Sequence, residues 1–199
     1  MDEVREQAER DYQLASGLSQ DVETDDSLMR QTTARLPWLL IGMLGGIGNS
    51  MILGNFDSTL AMHPEMALYI PLIGGTGGNV GTQSSAIVVQ GLANSSLDSS
   101  NTWKQIVKEA IVALINATII SMLVYIYNFV RFGANNTISY SVSISLFAVV
   151  MFASIFGTLV PMTLDRLKID PAIATGPFIS ITNDIIGMLL YMSITVLLS

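Results

Sequence analysis

Hydrophobic positions along the chain fall into five long runs that carry almost no charge. Four of the runs contain no charged residue: 36–56, 66–97, 110–130 and 132–164. The fifth, residues 171–199, contains Asp184 as its single charge. A helix needs about 20 apolar residues to cross a hydrocarbon core about 30 Å thick, and each run is long enough. The pattern predicts an all-α, polytopic membrane protein with five transmembrane helices joined by short loops.

The residues before the first run are polar and acidic. We divide the chain into a cytoplasmic acidic helix and linker, residues 1–35, and a five-helix transmembrane domain, residues 36–199. A cleavable signal peptide begins with basic residues, whereas this first run follows an acidic segment. We therefore expect the first helix to remain in the mature protein.

The positions of lysine and arginine predict the orientation. With the N-terminus inside, the cytoplasmic segments contain eight of the nine basic residues, and the outside contains only Arg131. Such an excess marks the cytoplasmic side of membrane proteins. Five spans then place the C-terminus outside. We expect a multi-pass protein of the cell membrane, with a bacterial inner membrane as its location.

Composition excludes several classes of function. Charged residues make up 13% of the chain, about half of what a soluble domain carries. Without cysteine and with one histidine, thiolate sites and ordinary zinc sites are excluded. No basic cluster is available to bind nucleic acid. The short loops leave no room for a catalytic domain, and one aspartate in the spans is too few for an aspartyl protease, so we expect no enzyme.

The second run contains a glycine cluster followed by polar side chains: Gly74, Gly75, Gly77, Gly78 and Gly81, then Asn79, Thr82, Gln83, Ser84 and Ser85. Five glycines within eight residues, after Pro71, disfavour a continuous helix. We predict an interrupted helix whose free carbonyls and Asn79 line a watery path. The alternative is close helix packing, since Gly74 and Gly78, and also Gly77 and Gly81, have the spacing of small residues at helix contacts.

Asp184 is the second unusual feature, because it lies 13 residues past Pro171, about 20 Å along a helix. A carboxylate at that depth costs at least about 2.5 to 3.5 kcal/mol. No basic side chain in any span can pair with it, so its partner is a cation from outside the chain, unless it is a protonated structural aspartate. Oxygen-only surroundings favour Mg²⁺, Ca²⁺ or Mn²⁺. Mg²⁺, which keeps several waters and needs few carboxylates, fits best.

The second and fifth runs also share a pattern. Each begins with two prolines before its key polar residue, and the two enter the membrane from opposite faces. This is typical of interrupted helices that meet around a central site.

At PLIGGTGGNVGTQSSAIVVQGLA and at RLKIDPAIATGPFISITNDIIGMLLY, the sequence resembles the transmembrane domain of the MgtE family of magnesium transporters and channels. The resemblance covers all five spans. It implies a homodimer in the lipid bilayer with a Mg²⁺ pathway near the dimer axis, formed mainly by spans 2 and 5. It also implies that Asp184 is the ion-binding carboxylate, two copies of which could face one hydrated ion. The other candidate metal-contacting groups are Asn79, Thr82 and the backbone of Gly74, Gly75, Gly77 and Gly78.

The chain departs from that family in two respects. Family members carry a cytosolic helical domain and paired CBS sensor domains, whereas here only residues 1–35 precede the first span. An excised pore domain and a short natural form both fit this difference. In addition, Gln90 stands where a basic residue is expected.

Potential-driven passage of Mg²⁺ through a dimeric pore is the function that the sequence favours. A broader divalent-cation or ion-coupled transporter is one alternative, and a non-conducting membrane assembly subunit is another. The net charge of -7 lies entirely in residues 1–26, which contain nine acids and two bases. We predict that this segment lies beneath the pore, where Glu6, Glu9 or Asp170 can bind a regulatory Mg²⁺.

Overall fold

The computed structural model describes residues 9–10, 12–94, 102–133, 137–174 and 176–198. Its elements are α1 (Leu28–Gly54), α2 (Asp57–Met62), a 3-10 helix (Pro64–Tyr69), α3 (Ile70–Ala93), α4 (Thr102–Phe132), α5 (Thr137–Arg166), a second 3-10 helix (Pro171–Ala174) and α6 (Pro177–Leu198). Every regular element within these ranges is helical, which confirms the all-α prediction.

Four of these helices are long and apolar enough to cross a membrane: α1, α4, α5 and α6. Helix α3 has 24 residues, but its glycine, asparagine and glutamine residues lower its mean hydropathy. A fifth span at α3 therefore stays a prediction at this point. Helix α1 begins at Leu28, eight residues before the first apolar run, because the Ser27 hydroxyl caps it by accepting a hydrogen bond from the Arg30 amide at 3.4 Å.

Helix α5 lies at the centre of the bundle, in contact with α3, α4 and α6. Its side chains Val142, Leu146 and Val149 have no exposed surface. Helix α1 lies at the edge and packs chiefly on α6. Large apolar side chains of α1 remain exposed, among them Leu39 at 65% and Met51 at 68%, as expected of a helix that faces lipid or a partner.

Helix α3 is continuous through its glycine cluster, from Ile70 to Ala93. The predicted interruption of the second span is therefore wrong in this structure. Tertiary packing offsets the low helix propensity of glycine. Gly81 and Gly157 lie so close that a methyl group on Gly157 would collide with the Gly81 carbonyl, and a methyl group on Gly77 would lie 2.9 Å from Val149. Gly77 and Gly81 thus serve close helix packing, which was the alternative interpretation.

Helix α6 is also continuous, from Pro177 past Asp184 to Leu198. The predicted interruption of the fifth span is wrong as well. The break in the chain comes earlier, where Pro171 begins a 3-10 helix and Gly176 adopts a positive φ of 62°. Because the helix carbonyls beside Asp184 are engaged in helical hydrogen bonds, the side chains supply most of the polar groups there.

A buried carboxylate joins α3, α4 and α5 at one end of the bundle. Glu109 of α4 is 7% exposed, and its Oε1 accepts hydrogen bonds from Ser84 of α3, at 2.6 Å, and from Ser154 of α5. The two serine hydroxyls are 3.0 Å apart. These hydrogen bonds tie Ser84 of α3 to α4 and α5.

The other end of α3 is held by two tyrosines. Tyr69 donates a hydrogen bond to Asn128 Oδ1 at 2.5 Å, and Tyr191 donates one to the Met66 carbonyl at 2.9 Å. These bonds fix the 3-10 helix that leads into α3.

Candidate cation site

Asp184 lies in a cleft of about 300 Å³ between α3 and α6, and α1 supplies a third wall. The residues that line it are Asn49, Ile70, Pro71, Gly74, Gly75, Gly78, Asn79, Ser180, Asp184 and Met188. Its polar groups are therefore one carboxylate, two amides and one hydroxyl. This oxygen-rich set suits a hard cation.

Two glycines of α3, one helical turn apart, make room for the carboxylate. A methyl group on Gly74 would lie 3.4 Å from Asp184 Oδ1, and one on Gly78 would lie 3.5 Å from the same atom and 2.8 Å from Ser180 Oγ. Larger side chains at either position would fill the space beside Asp184. Gly74 and Gly78 therefore open this cleft, while Gly77 allows a close approach to Val149 of α5 and Gly81 to Asn183 of α6.

Asp184 has no basic partner in the part of the chain that the structure describes. Ion pairs found there include Arg10 with Asp21 and Arg30 with Asp26, and none of these four residues lines the cleft. Nor do these described residues form a group of three or more His, Asp or Glu side chains that could hold a metal ion. The cleft therefore offers a single carboxylate, which suits an ion that keeps most of its water.

The structure brings most of the predicted metal-contacting residues together, but not all. Gly74, Gly75, Gly78 and Asn79 line the cleft with Asp184. Gly77 is buried against Val149 of α5, and Thr82 does not line the cleft. The roles predicted for all of these residues stay predictions, with Gly77 and Thr82 placed away from the carboxylate.

Sequence reasoning missed two polar residues of the cleft, Asn49 and Ser180. Ser180 precedes Asp184 by four residues, so helical spacing places both on one face of α6. That signal was available in the sequence. Asn49 belongs to a different helix, and no spacing along the chain relates it to Asp184.

Of the residues predicted to bind a regulatory cation, Glu9 and Asp170 line separate cavities. Glu6 is outside the described residues. Glu9 lines a cavity of about 450 Å³ in the N-terminal segment. Asp170 lines a separate cavity of about 360 Å³ beside Asp165, and its Oδ1 accepts a hydrogen bond from the Ala172 amide at 2.9 Å.

The N-terminal segment packs against the beginning of α6. A methyl group on Gly17 would lie 2.6 Å from Pro177 Cγ, and one on Gly176 would collide with the Ala15 carbonyl. The Ser19 amide and hydroxyl both donate to the Ala34 carbonyl, at 2.9 Å. Ser180 lines the cavity beneath this segment as well as the cleft of Asp184, so the segment lies close to the cation site.

Known proteins resemble this chain over most of its length. The family model MgtE, described as a divalent cation transporter, matches residues 70–194, which include α3 to α6. A protein of Bacillus subtilis named magnesium transporter MgtE is 31% identical over 194 residues, covering 98% of this chain and 43% of that protein. A Thermus thermophilus protein of the same name is 34% identical over 165 residues, covering 83% of this chain and 36% of that protein. The chain thus spans less than half the length of these curated relatives.

Proposed function

The chain belongs to the MgtE family of divalent cation transporters, and from this membership we propose that it carries Mg²⁺ across the cell membrane. The ion passes through the cleft of Asp184 with most of its water shell retained. The observation that carries this proposal is the carboxylate itself, which lies between two helices with no basic partner among the described residues.

The size of the cleft supports a hydrated ion. Mg²⁺ is octahedral and loses water reluctantly. Six waters occupy about 180 Å³ at about 30 Å³ each, and the cleft measures about 300 Å³. The carboxylate attracts the ion, and the amide of Asn79 contacts its water.

Helix α3 is the fifth span in this proposal. Its 24 residues extend about 36 Å at 1.5 Å per residue, and it packs against α5 and α6, which are long and apolar enough to cross a membrane. Five spans, with the N-terminus inside, place the C-terminus outside. Exposed polar positions of α3 continue away from the cleft along one side of the helix, at Asn79, Gln83 and Gln90.

A homodimer follows from that exposed polar side. Amide side chains that face lipid are unfavourable, because hydrocarbon offers them no hydrogen bonds. A second copy of the chain, related by a two-fold axis, would cover the polar side of α3 and form a water-filled path between the copies. It would also bring a second Asp184 toward the same ion.

The membrane potential supplies the driving force. Moving one charge across 100 mV is worth about 2.3 kcal/mol, so a divalent ion moving inward gains about twice that amount without ATP. We expect the purified chain in liposomes to take up Mg²⁺ faster as the interior is made more negative with a potassium diffusion potential, with no gradient of sodium or protons. Uptake is measured with a fluorescent Mg²⁺ indicator inside the vesicles.

Two results would contradict this mechanism. A requirement for a sodium or proton gradient would indicate an ion-coupled transporter. Vesicles as impermeable to Mg²⁺ as protein-free ones would favour a non-conducting assembly subunit. Competition from Ca²⁺, Mn²⁺ or Co²⁺ at equal concentration would instead indicate a broader divalent-cation transporter.

We further propose that the acidic N-terminal segment regulates the pathway by binding Mg²⁺, with Glu6, Glu9 and Asp170 as candidate contacts. The contact of Gly17 with Pro177 supports this role, since it lies next to the cavity that Ser180 shares with the cation site. Deleting residues 1–26 is expected to abolish the inhibition of flux by millimolar Mg²⁺ on the cytoplasmic side. Inhibition that is unchanged in the deleted protein would rule out this role.

A further inference from the structure

Asn49 of α1 has a polar atom that the protein leaves without a partner. Its side chain lines the cleft of Asp184, and its Oδ1 is buried and accepts no hydrogen bond. A buried acceptor without a partner costs about 1 to 3 kcal/mol. Because Asn49 lines the cleft, water or the water shell of an ion in the cleft is the donor that could satisfy this oxygen.

The packing of α1 on α6 sets the position of Asn49. Three glycines of α1 face two isoleucines of α6: a methyl group on Gly42 or on Gly45 would meet Ile181, and one on Gly48 would lie 4.0 Å from Ile185 Cδ1. Ile185 and Gly48 are the immediate neighbours of Asp184 and Asn49. The close contact of the two helices therefore places the amide and the carboxylate at the same height along the bundle.

We infer that Asn49 is a specificity-determining residue for the transported ion, which accepts hydrogen bonds from the water shell of a cation held at Asp184. This inference rests on the proposed function and deepens it, because it names a contact from a third helix. Asn49 also precedes residue 70, where the match to the family model begins.

The chemistry of the two common divalent ions gives Asn49 its selectivity. Mg²⁺ keeps several waters, whereas Ca²⁺ exchanges them for six to eight protein oxygens at about 2.3 to 2.6 Å in flexible geometry. A neutral hydrogen-bond acceptor that contacts water at the rim of the site favours binding of the ion that keeps its water shell. Loss of an outer contact of this kind typically weakens metal binding by about 10- to 100-fold.

The test compares three variants of the full chain, each purified in detergent and in liposomes. Asn49→Leu removes the acceptor at similar size, Asn49→Asp keeps an oxygen at the same place, and Ser50→Ala changes the exposed neighbour on the same helix. The rise of the melting temperature with added Mg²⁺ or Ca²⁺ measures binding of each ion, since a ligand that binds only the folded state stabilises it. Mg²⁺ uptake into liposomes measures transport.

For Asn49→Leu we expect about a tenfold increase in the Mg²⁺ concentration that gives half of the thermal stabilisation, with a change of less than about threefold for Ca²⁺. The Mg²⁺ concentration for half-maximal uptake should rise in parallel. Asn49→Asp is expected to retain Mg²⁺ binding, and Ser50→Ala to match the parent. Hexaamminecobalt(III), whose ammine ligands do not exchange, should compete with Mg²⁺ in the parent and less in Asn49→Leu.

Three outcomes would overturn the inference. If Asn49→Leu lowers the melting temperature without changing either ion's half-effect concentration, Asn49 serves packing alone. If binding of Mg²⁺ and binding of Ca²⁺ weaken equally, Asn49 gives no selectivity, although the site at Asp184 stands. If the parent's response to Mg²⁺ is the same in Asp184→Asn, the proposed ion site fails, and the role of Asn49 fails with it.

Discussion

Replacing Asp184 with asparagine is expected to reduce Mg²⁺ uptake by at least about 100-fold. The side chain keeps its shape and loses only its charge. A divalent ion about 5 Å from a carboxylate, through one water, is attracted by about 6 kcal/mol at an effective dielectric constant near 20. Half of that attraction would still correspond to about a 100-fold change in affinity for the ion. Potential-driven uptake into liposomes measures the change.

The same substitution should also stabilise the protein in the absence of Mg²⁺. An unpaired carboxylate at this depth costs at least about 2.5 to 3.5 kcal/mol, and the neutral amide removes most of that cost. A higher melting temperature together with lost uptake would separate an ion-binding role from a structural one. Asp57→Asn, at the start of α2 outside the cleft, is the matched control and should conduct like the parent. Parent-like uptake by Asp184→Asn would contradict the assignment.

Gly157→Ala is expected to destabilise the protein strongly. The added methyl group would collide with the Gly81 carbonyl, which is backbone and cannot turn away. Overpacking of a core costs about 1 to 3 kcal/mol, and for a chain of this size each kcal/mol lowers the melting temperature by roughly 2 to 4 °C. We therefore expect a decrease of roughly 2 to 12 °C, measured by thermal unfolding in detergent.

Gly46→Ala provides the control for this prediction. A methyl group on Gly46 meets no atom within 4 Å, so alanine's higher helix propensity should leave stability unchanged or raise it by up to about 1 kcal/mol. Equal melting temperatures for the Gly157 and Gly46 variants would mean that α3 and α5 are not as close as the structure places them. Because neither Gly157 nor Gly81 lines the cleft of Asp184, any remaining folded Gly157→Ala protein should still bind Mg²⁺.

The helices and the lone carboxylate were accessible from the sequence for simple reasons. The length of each apolar run determines whether it can cross a membrane, and an acid without a basic partner in any span is visible from residue types alone. The resemblance at the glycine cluster and around Asp184 agreed with the family that the comparisons established. Asn79 and three of the four glycines predicted to contact the ion do line the cleft with Asp184.

The interrupted helices show where local reasoning failed. The low helix propensity of glycine is a property of the residue by itself. Helix α3 is instead stabilised by the close packing that its glycines allow. Gly81 approaches Gly157, and Gly77 approaches Val149, at distances that only residues without side chains allow. The free energy of this packing outweighs the cost of glycine's low helix propensity. The sequence alone does not show which residue each glycine will contact.

Chain-level information was thus enough for the helical class, the membrane location and the identity of the one deep carboxylate, because run length and charge do not depend on how the helices cross. The tertiary arrangement decided the division of the glycines between packing and the cleft, and it brought Asn49 beside Asp184. Both depend on which face of a helix meets which neighbour. These contacts between helix faces are determined by the packing of α1, α3, α5 and α6 together. The sequence of any one helix does not determine them.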